Sequence, residues 1–457
     1  MTDIPFLPPG KPQDVIAWRL GHGITRAQFL RDVADLAPRL PAMEYVLNHC
    51  DDRYHFLVGL AATLQRGQVS LFPSSRAPQV LEKLKREYQN IYCLTDQADE
   101  PAVMEVFVYA SAPADLDAGV ISSDALGLEL KPLAFPAHQQ VAFAFTSGST
   151  GEPKRYLRTW GALVHETRVA GRRLGLVAGS GGLVVATVPP QHMYGFVYSV
   201  MLPLQFGYLL AAERPFYPDD IRRVLASHPR PGVLITTPLH IRACVLDAVC
   251  LPDMAFILSS TASLDSELAA QAERAFGTQV LEFYGSTETG AIASRRPVAS
   301  GVWRAFDDIR VSLDANGFCV DADYFTTPMM LSDNVEVMNP QEFVLFGRNT
   351  DLIKIAGKRI SLGDLNRHLL AIEGVKDGTF FFPEGESARE ARLTAFVVAP
   401  GKTREALLQA LRQRIDPVFL PRPLRMVDSL PRNATGKLPR ANLIRLLQEV
   451  EAREVAG

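Results

Sequence analysis

The run Thr146-Ser147-Gly148-Ser149-Thr150-Gly151-Glu152-Pro153-Lys154 puts four hydroxyls, two glycines and a lysine into one short loop. Backbone N–H groups, hydroxyl donors and an ammonium together suit the oxygens of a phosphate, and glycine allows backbone conformations closed to other residues. The loop is not a Walker A element, because the order G-x-x-x-x-G-K-[ST] is absent.

A phosphate loop needs rigid elements behind it. Short apolar runs at 141–145, 183–188, 233–236, 255–258 and 280–283 read as buried strands, and helical spacing occurs at 221–226 and 268–275. Such alternation predicts a parallel α/β sheet. The turn after each strand holds the unusual residues: Thr146-Ser147-Gly148, Pro190-Gln191-His192, Thr237-Pro238, Ser259-Ser260-Thr261 and Tyr284-Gly285-Ser286. Open α/β sheets bind ligands beyond the carboxyl ends of their strands, so these five turns are expected to converge on one crevice. After residue 300 the runs 309–313, 318–320 and 343–346 alternate as in an antiparallel section. From Gly347 onward a smaller unit holds an extended run at 392–398 and amphipathic helices, one with Leu443, Leu446, Leu447 and Val450 on a single face. The expected architecture is α/β. A large N-terminal domain, 1–347, carries parallel α/β sheets plus the antiparallel section, and a small mobile α+β C-terminal domain spans 348–457.

The 457 residues exceed one compact core. A net charge of −3 argues against nucleic acid or an anionic membrane held by bulk charge. Five cysteines without metal-ligand spacing fit a reducing cytoplasm. The first ten residues do not read as a signal peptide, and the most apolar stretch, 200–212, is too short to span a bilayer.

The 146–154 loop matches at every position the phosphate-loop signature [ST]-[ST]-G-[ST]-[ST]-G-x-P-K. It resembles that of the adenylate-forming superfamily, which includes acyl- and aryl-CoA synthetases, peptide-synthetase adenylation domains and luciferases. The family's other motifs follow in order. Tyr284-Gly285-Ser286-Thr287-Glu288 resembles the aromatic-Gly-x-Thr-Glu motif. It implies a ring on adenine from Tyr284, a hydroxyl for the α-phosphate from Thr287 and a hard carboxylate for Mg2+ from Glu288. Glu282 lies where the family places a residue near the adenine amino group. Ser260, Thr261 and Ala262 fall in the segment of the adenine loop, although only Ala262 and Leu264 match its usual string. An ordinary strand-to-helix turn capped by Ser263 is the competing reading there. Asp333 and Arg348 are implied ribose contacts.

The segment from Gly347-Arg348 to Arg359-Ile360 resembles the family's hinge motif, with Thr350 where an Asp or Lys pivot is usual. Gly357 and Lys358 would lie along the path of the thiol arm. Pro431-Arg432-Asn433-Ala434-Thr435-Gly436-Lys437 resembles the C-terminal motif whose lysine, here Lys437, is catalytic. Pro190-Gln191-His192-Met193-Tyr194-Gly195 resembles the H-x-x-G turn of acyl- and aryl-CoA ligases, with His192, Tyr194 and Gly195 near the carboxylate site. Tyr194, Phe196 and Tyr198 suit either an aryl pocket or a core.

The resemblance implies ATP-dependent activation of a carboxylic acid, aryl or fatty/acyl, to an acyl-AMP with Mg2+ and release of pyrophosphate, then transfer to a thiol. Coenzyme A is the expected acceptor, and a carrier-protein phosphopantetheine is the alternative. No acidic residue occurs in 189–212, which disfavours an α-amino acid substrate. A non-catalytic nucleotide-binding relative is the reading from another class. The presence of Lys437 and Glu288 weighs against it.

Overall fold

The structure, a computed structural model, describes residues 3–73, 75–100, 103–109, 132–145, 154–177, 179, 181–314, 317–325, 327–348, 352–355, 358–382, 393–433 and 436–456. The chain divides into two compact units, Met1–Ser300 with Ala305–Ile309, and Gly301–Arg304 with Arg310–Gly457.

Among the described residues, the first unit holds two large sheets and a short antiparallel pair of Ile4–Pro5 with Ala134–Phe135. In one, the strand Leu209–Ala211 is followed in space by Leu183–Ala186, Gly232–Thr236, Met254–Ser259 and Val280–Ser286, all parallel. Their runs are almost wholly apolar because both faces are covered. Gly290–Arg295 adds an antiparallel strand after Val280–Ser286. At the other edge, Val15–Arg19 pairs in parallel with Leu209–Ala211, and its hairpin partner His22–Thr25 lies outside it. A short edge hairpin carries no motif, so this N-terminal segment is silent in the sequence.

The second sheet runs Arg155–Thr159, Gln140–Phe145, Val69–Phe72, Tyr45–Asn48, Ile91–Thr95, Glu105–Val108, parallel except at Arg155–Thr159. The five expected turns therefore do not share one sheet. Four follow strands of the first sheet, while the phosphate-loop strand Gln140–Phe145 belongs to the second. Apolar runs identify strands but carry no information on which neighbours they pair with.

The second unit pairs Val302–Ala305, Glu342–Arg348 and Asp333–Asn339 antiparallel, as the alternating runs predict. It also holds a separate core built on the sheet of Asp377–Phe381, Thr394–Val398 and Leu424–Met426. That core draws only on residues between Ile353 and Met426.

Candidate active site

Residues 146–153, with Thr146, Ser147, Gly148, Ser149, Thr150 and Gly151, lie outside the described residues. Their flanks are fixed, because Phe145 and Arg155 are register partners of an antiparallel pair. Lys154, beside that pair, is exposed.

Strand Leu183–Ala186 ends just before Pro189-Pro190, and His192 then precedes the helix Met193–Gly195, its carbonyl accepting from Phe196 N–H at 2.7 Å. Gly195 is required: a Cβ there would stand 2.0 Å from the Pro189 carbonyl oxygen. Tyr194 is buried and its hydroxyl donates to the Leu258 carbonyl at 2.7 Å, tying this turn to the neighbouring strand. Burial holds its phenol pKa well above the ordinary value. Phe196 and Tyr198 are core residues: Phe196 packs on Phe56 and Phe72, and Tyr198 on Phe283.

Sequence reading missed the residue that organises this turn. Arg53 starts the helix Arg53–Gln65 and is fully buried. Its Nη2 donates to the carbonyls of Ala186 and Val188 at 3.1 and 3.0 Å, and Nη1 to those of Ala211 and Glu213 at 3.0 and 3.1 Å. One guanidinium thus clamps the ends of two adjacent strands. Gln191 Nε2 adds a bond to the Cys50 carbonyl at 2.7 Å. Burial lowers the Arg53 pKa to about 9. A single arginine in an unmatched segment gives no pattern to read.

Ser260 Oγ donates to the Phe283 carbonyl at 3.0 Å, joining the candidate adenine turn to the next strand. Thr261 has φ of 77°, a left-handed conformation that β-branched residues seldom adopt. The following helix, Ser266–Phe276, is capped by Asp265, whose side chain accepts from Glu267 and Leu268 N–H. Ser263 is therefore not the cap. Glu282 is buried with both oxygens engaged: Oε1 accepts from Leu264 N–H and Oε2 pairs with Arg295 Nε, each at 2.7 Å. Burial, opposed by Arg295, moves its pKa up to about 7. These partners make Glu282 a brace for the 260–264 turn.

Tyr284, Gly285 and Ser286 end their strand, and Thr287 and Glu288 stand half-buried in the turn beyond. A Cβ on Gly285 would meet the Gly290 carbonyl oxygen at 2.1 Å, so only glycine fits. Ser286 and the fully buried Thr289 brace the turn: Thr289 N–H donates to Ser286 Oγ at 3.2 Å and Ser286 N–H to Thr289 Oγ1 at 3.2 Å.

In the second unit, Asp333 and Arg348 are register partners on adjacent strands, so the two expected ribose residues come together. Gly357 and Thr350 lie outside the described residues. Lys358 is exposed and pairs with Asp416. Lys437 is exposed on a tightly built loop. Asn433 Oδ1 accepts from Lys437 N–H at 2.9 Å, and Asn433 N–H donates to the Lys437 carbonyl at 2.8 Å. Arg432 forks onto Asp377 at 2.7 and 2.8 Å and caps the Gly436 carbonyl at 2.7 Å.

Among the described residues, His49, Cys93 and Glu100 are the one group of ligating side chains near enough to share an ion. His49 Nδ1 and Glu100 Oε1 stand 2.7 Å apart. That is a hydrogen bond, shorter than the ~3.3 Å between two tetrahedral zinc ligands.

The turns at the ends of the parallel strands carry the motifs of an adenylate-forming enzyme, and the comparisons show that class, of the acyl/aryl-CoA synthetase type. The chain belongs to the AMP-binding enzyme family, whose sequence pattern matches residues 22–312. It is 31% identical over 306 residues to a 4-coumarate–CoA ligase of Halorhodospira halophila, covering 64% of this chain and 73% of that one. Against the benzoate–CoA ligase of Thauera aromatica it is 24% identical over 386 residues, covering 75% and 72%. The fold matches the anthranilate–CoA ligase AuaEII in complex with anthranoyl-AMP, with a TM-score of 0.77, 14% identity and coverage of 97% and 96%. It also matches the O-succinylbenzoate–CoA synthetase of Bacillus subtilis in complex with ATP and magnesium ion, with a TM-score of 0.76, 17% identity and coverage of 95% and 97%. This chain is an AMP-forming acid–thiol ligase: it activates a carboxylic acid as the acyl-AMP and transfers the acyl group to coenzyme A.

Proposed function

We propose that the acid is an aryl carboxylic acid without an α-amino group. One observation carries this reading. Residues 194–204, which follow His192, are all buried, and no acidic residue occurs anywhere in 189–212. An α-ammonium brought here would shed its hydration with no carboxylate to meet it, which is strongly unfavourable. The relatives named for coumarate, benzoate and hydroxybenzoate support the aryl class.

The roles proposed for single residues follow the motifs. The 146–151 loop and Lys154 take the phosphates, and Thr287 and Lys437 meet the charge that builds on the α-phosphate as the acid attacks. Tyr284 and the 260–262 backbone face adenine, while Asp333 and Arg348 hold the ribose. His192 orients the carboxylate. The Glu288 carboxylate, hard and half-buried, fits a magnesium ion, which when bound neutralises phosphate charge. The 348–350 segment acts as the pivot of a C-terminal domain, 348–457, whose loop at Gly357 and Lys358 guides the thiol. The independent core between Ile353 and Met426 supports that division. Five free cysteines suit a cytoplasmic setting.

Acid-dependent ATP–pyrophosphate exchange across aryl, fatty and amino acids tests the substrate class. Aryl acids are expected to exchange most strongly, and exchange confined to amino acids would overturn the reading.

A further inference from the structure

A buried charge pair with no part in the motifs stands against the Thr287–Glu288 turn. Arg158 lies on Arg155–Thr159, the strand that leads away from the phosphate loop, and is 7% exposed. Its Nη2 donates to the Thr287 carbonyl at 2.6 Å, with the Glu288 carbonyl at 3.5 Å. Behind it, Glu166 of the helix Trp160–Arg173 is 3% exposed and places Oε2 4.0 Å from Arg158 Nη1. Glu166 Oε1 also accepts from Ala291 N–H at 3.2 Å. Gly290, between the turn and Ala291, has φ of 71°, and a Cβ there would stand 2.4 Å from Glu166 Oε1. The turn is therefore gripped on both sides, by Arg158 at its carbonyls and by Glu166 at its exit.

We propose that Arg158, backed by Glu166, is a positioning residue for the Thr287–Glu288 turn and through it sets the metal affinity of the nucleotide site. This rests on the roles given above to Thr287 and Glu288. The peptide joining those two residues is planar and trans, so holding its carbonyl on Arg158 sends the Glu288 N–H the opposite way. Both side chains are then presented from a fixed backbone. Arg158 is four residues past Lys154, so one strand ties Lys154 to the backbone of the Thr287–Glu288 turn. Stability alone does not account for the pair, since a buried ion pair can usually be replaced by apolar residues without loss.

The test is Mn2+ binding, followed by the electron paramagnetic resonance of free Mn2+, with a non-hydrolysable ATP analogue bound. Calorimetry gives the affinity for the analogue without metal. Arg158→Met is expected to weaken Mn2+ binding by about 10–100-fold, the scale for removing a residue that orients a metal ligand, and to change metal-free analogue binding far less. Arg158→Lys recovers part of the loss, since one ammonium still reaches the Thr287 carbonyl. If Arg158→Met does not fold, Arg158→Met with Glu166→Gln removes the unpaired buried charge and keeps an acceptor for Ala291 N–H. Glu288→Gln is measured alongside. Weakened Mn2+ binding in Glu288→Gln with none in the Arg158 variants overturns the positioning role alone. No change in either overturns the metal assignment as well. Equal loss of Mn2+ and metal-free analogue binding in Arg158→Met marks general disruption and also overturns the proposal.

Discussion

Replacing Arg53 by methionine tests whether the clamp on the two strand ends outweighs the cost of burying a charge. Four hydrogen bonds from a charged donor, each worth about 1.5–3 kcal/mol net of the water it replaces, set an upper limit of roughly 6–12 kcal/mol. Burial works against that limit, since it lowers the Arg53 pKa to about 9. Half of the lower figure, about 3 kcal/mol, is a large part of the ~5–15 kcal/mol that stabilises a typical domain. Equilibrium urea unfolding followed by tryptophan fluorescence reads this, because Trp18 and Trp160 lie in the same unit as Arg53. Arg53→Met is expected to lose about 3 kcal/mol by this balance. The KM for the acid should also rise, since Ala186 and Val188 lead into the His192 turn. A loss below about 1 kcal/mol, or a gain, would show that desolvation cancels the clamp and would refute the argument.

Lys437→Ala is expected to lose acyl-AMP formation by about 10²–10³-fold, the scale for one transition-state donor. Thioester formation from preformed acyl-AMP should be nearly unchanged. Single-turnover assays of each half-reaction check this, and equal loss in both would count against an alternating C-terminal domain. Thr261→Gly relieves the left-handed strain and is expected to gain about 0.5–1 kcal/mol, measured as a rise in Tm. No gain would mean that the threonine side chain repays its backbone conformation.

The motifs were legible because steric necessity had marked them. Gly195 and Gly285 sit where any Cβ would strike a carbonyl oxygen, and each lies within three residues of a chemical residue, His192 and Thr287. Asp333 and Arg348 were named by resemblance alone, and their facing became known only from the pairing of their strands. Arg53, Arg158 and Glu166 were not legible. Each acts by satisfying backbone groups brought close only by tertiary folding, and a lone buried charge has no periodicity. Glu282 shows the same limit: its position suggested a ligand contact, while its partners Leu264 N–H and Arg295 became known only once two strands were paired. Phe196 and Tyr198 could have lined a pocket or filled a core until packing decided for the core.

The parallel pairing of Val15–Arg19 with Leu209–Ala211 also bears on how the chain can be made. Ala17 and Leu210 are register partners yet stand roughly 190 residues apart in sequence. At ribosomal rates of ~5–20 residues per second, the hairpin emerges about 10–40 s before the strand it must join. A two-stranded hairpin is barely stable alone in water. For that interval its unpaired edge is open to other chains, and the larger sheet closes only after Leu209–Ala211 has left the ribosome. The nascent enzyme should therefore depend on chaperone protection of its first 25 residues more than the finished one does.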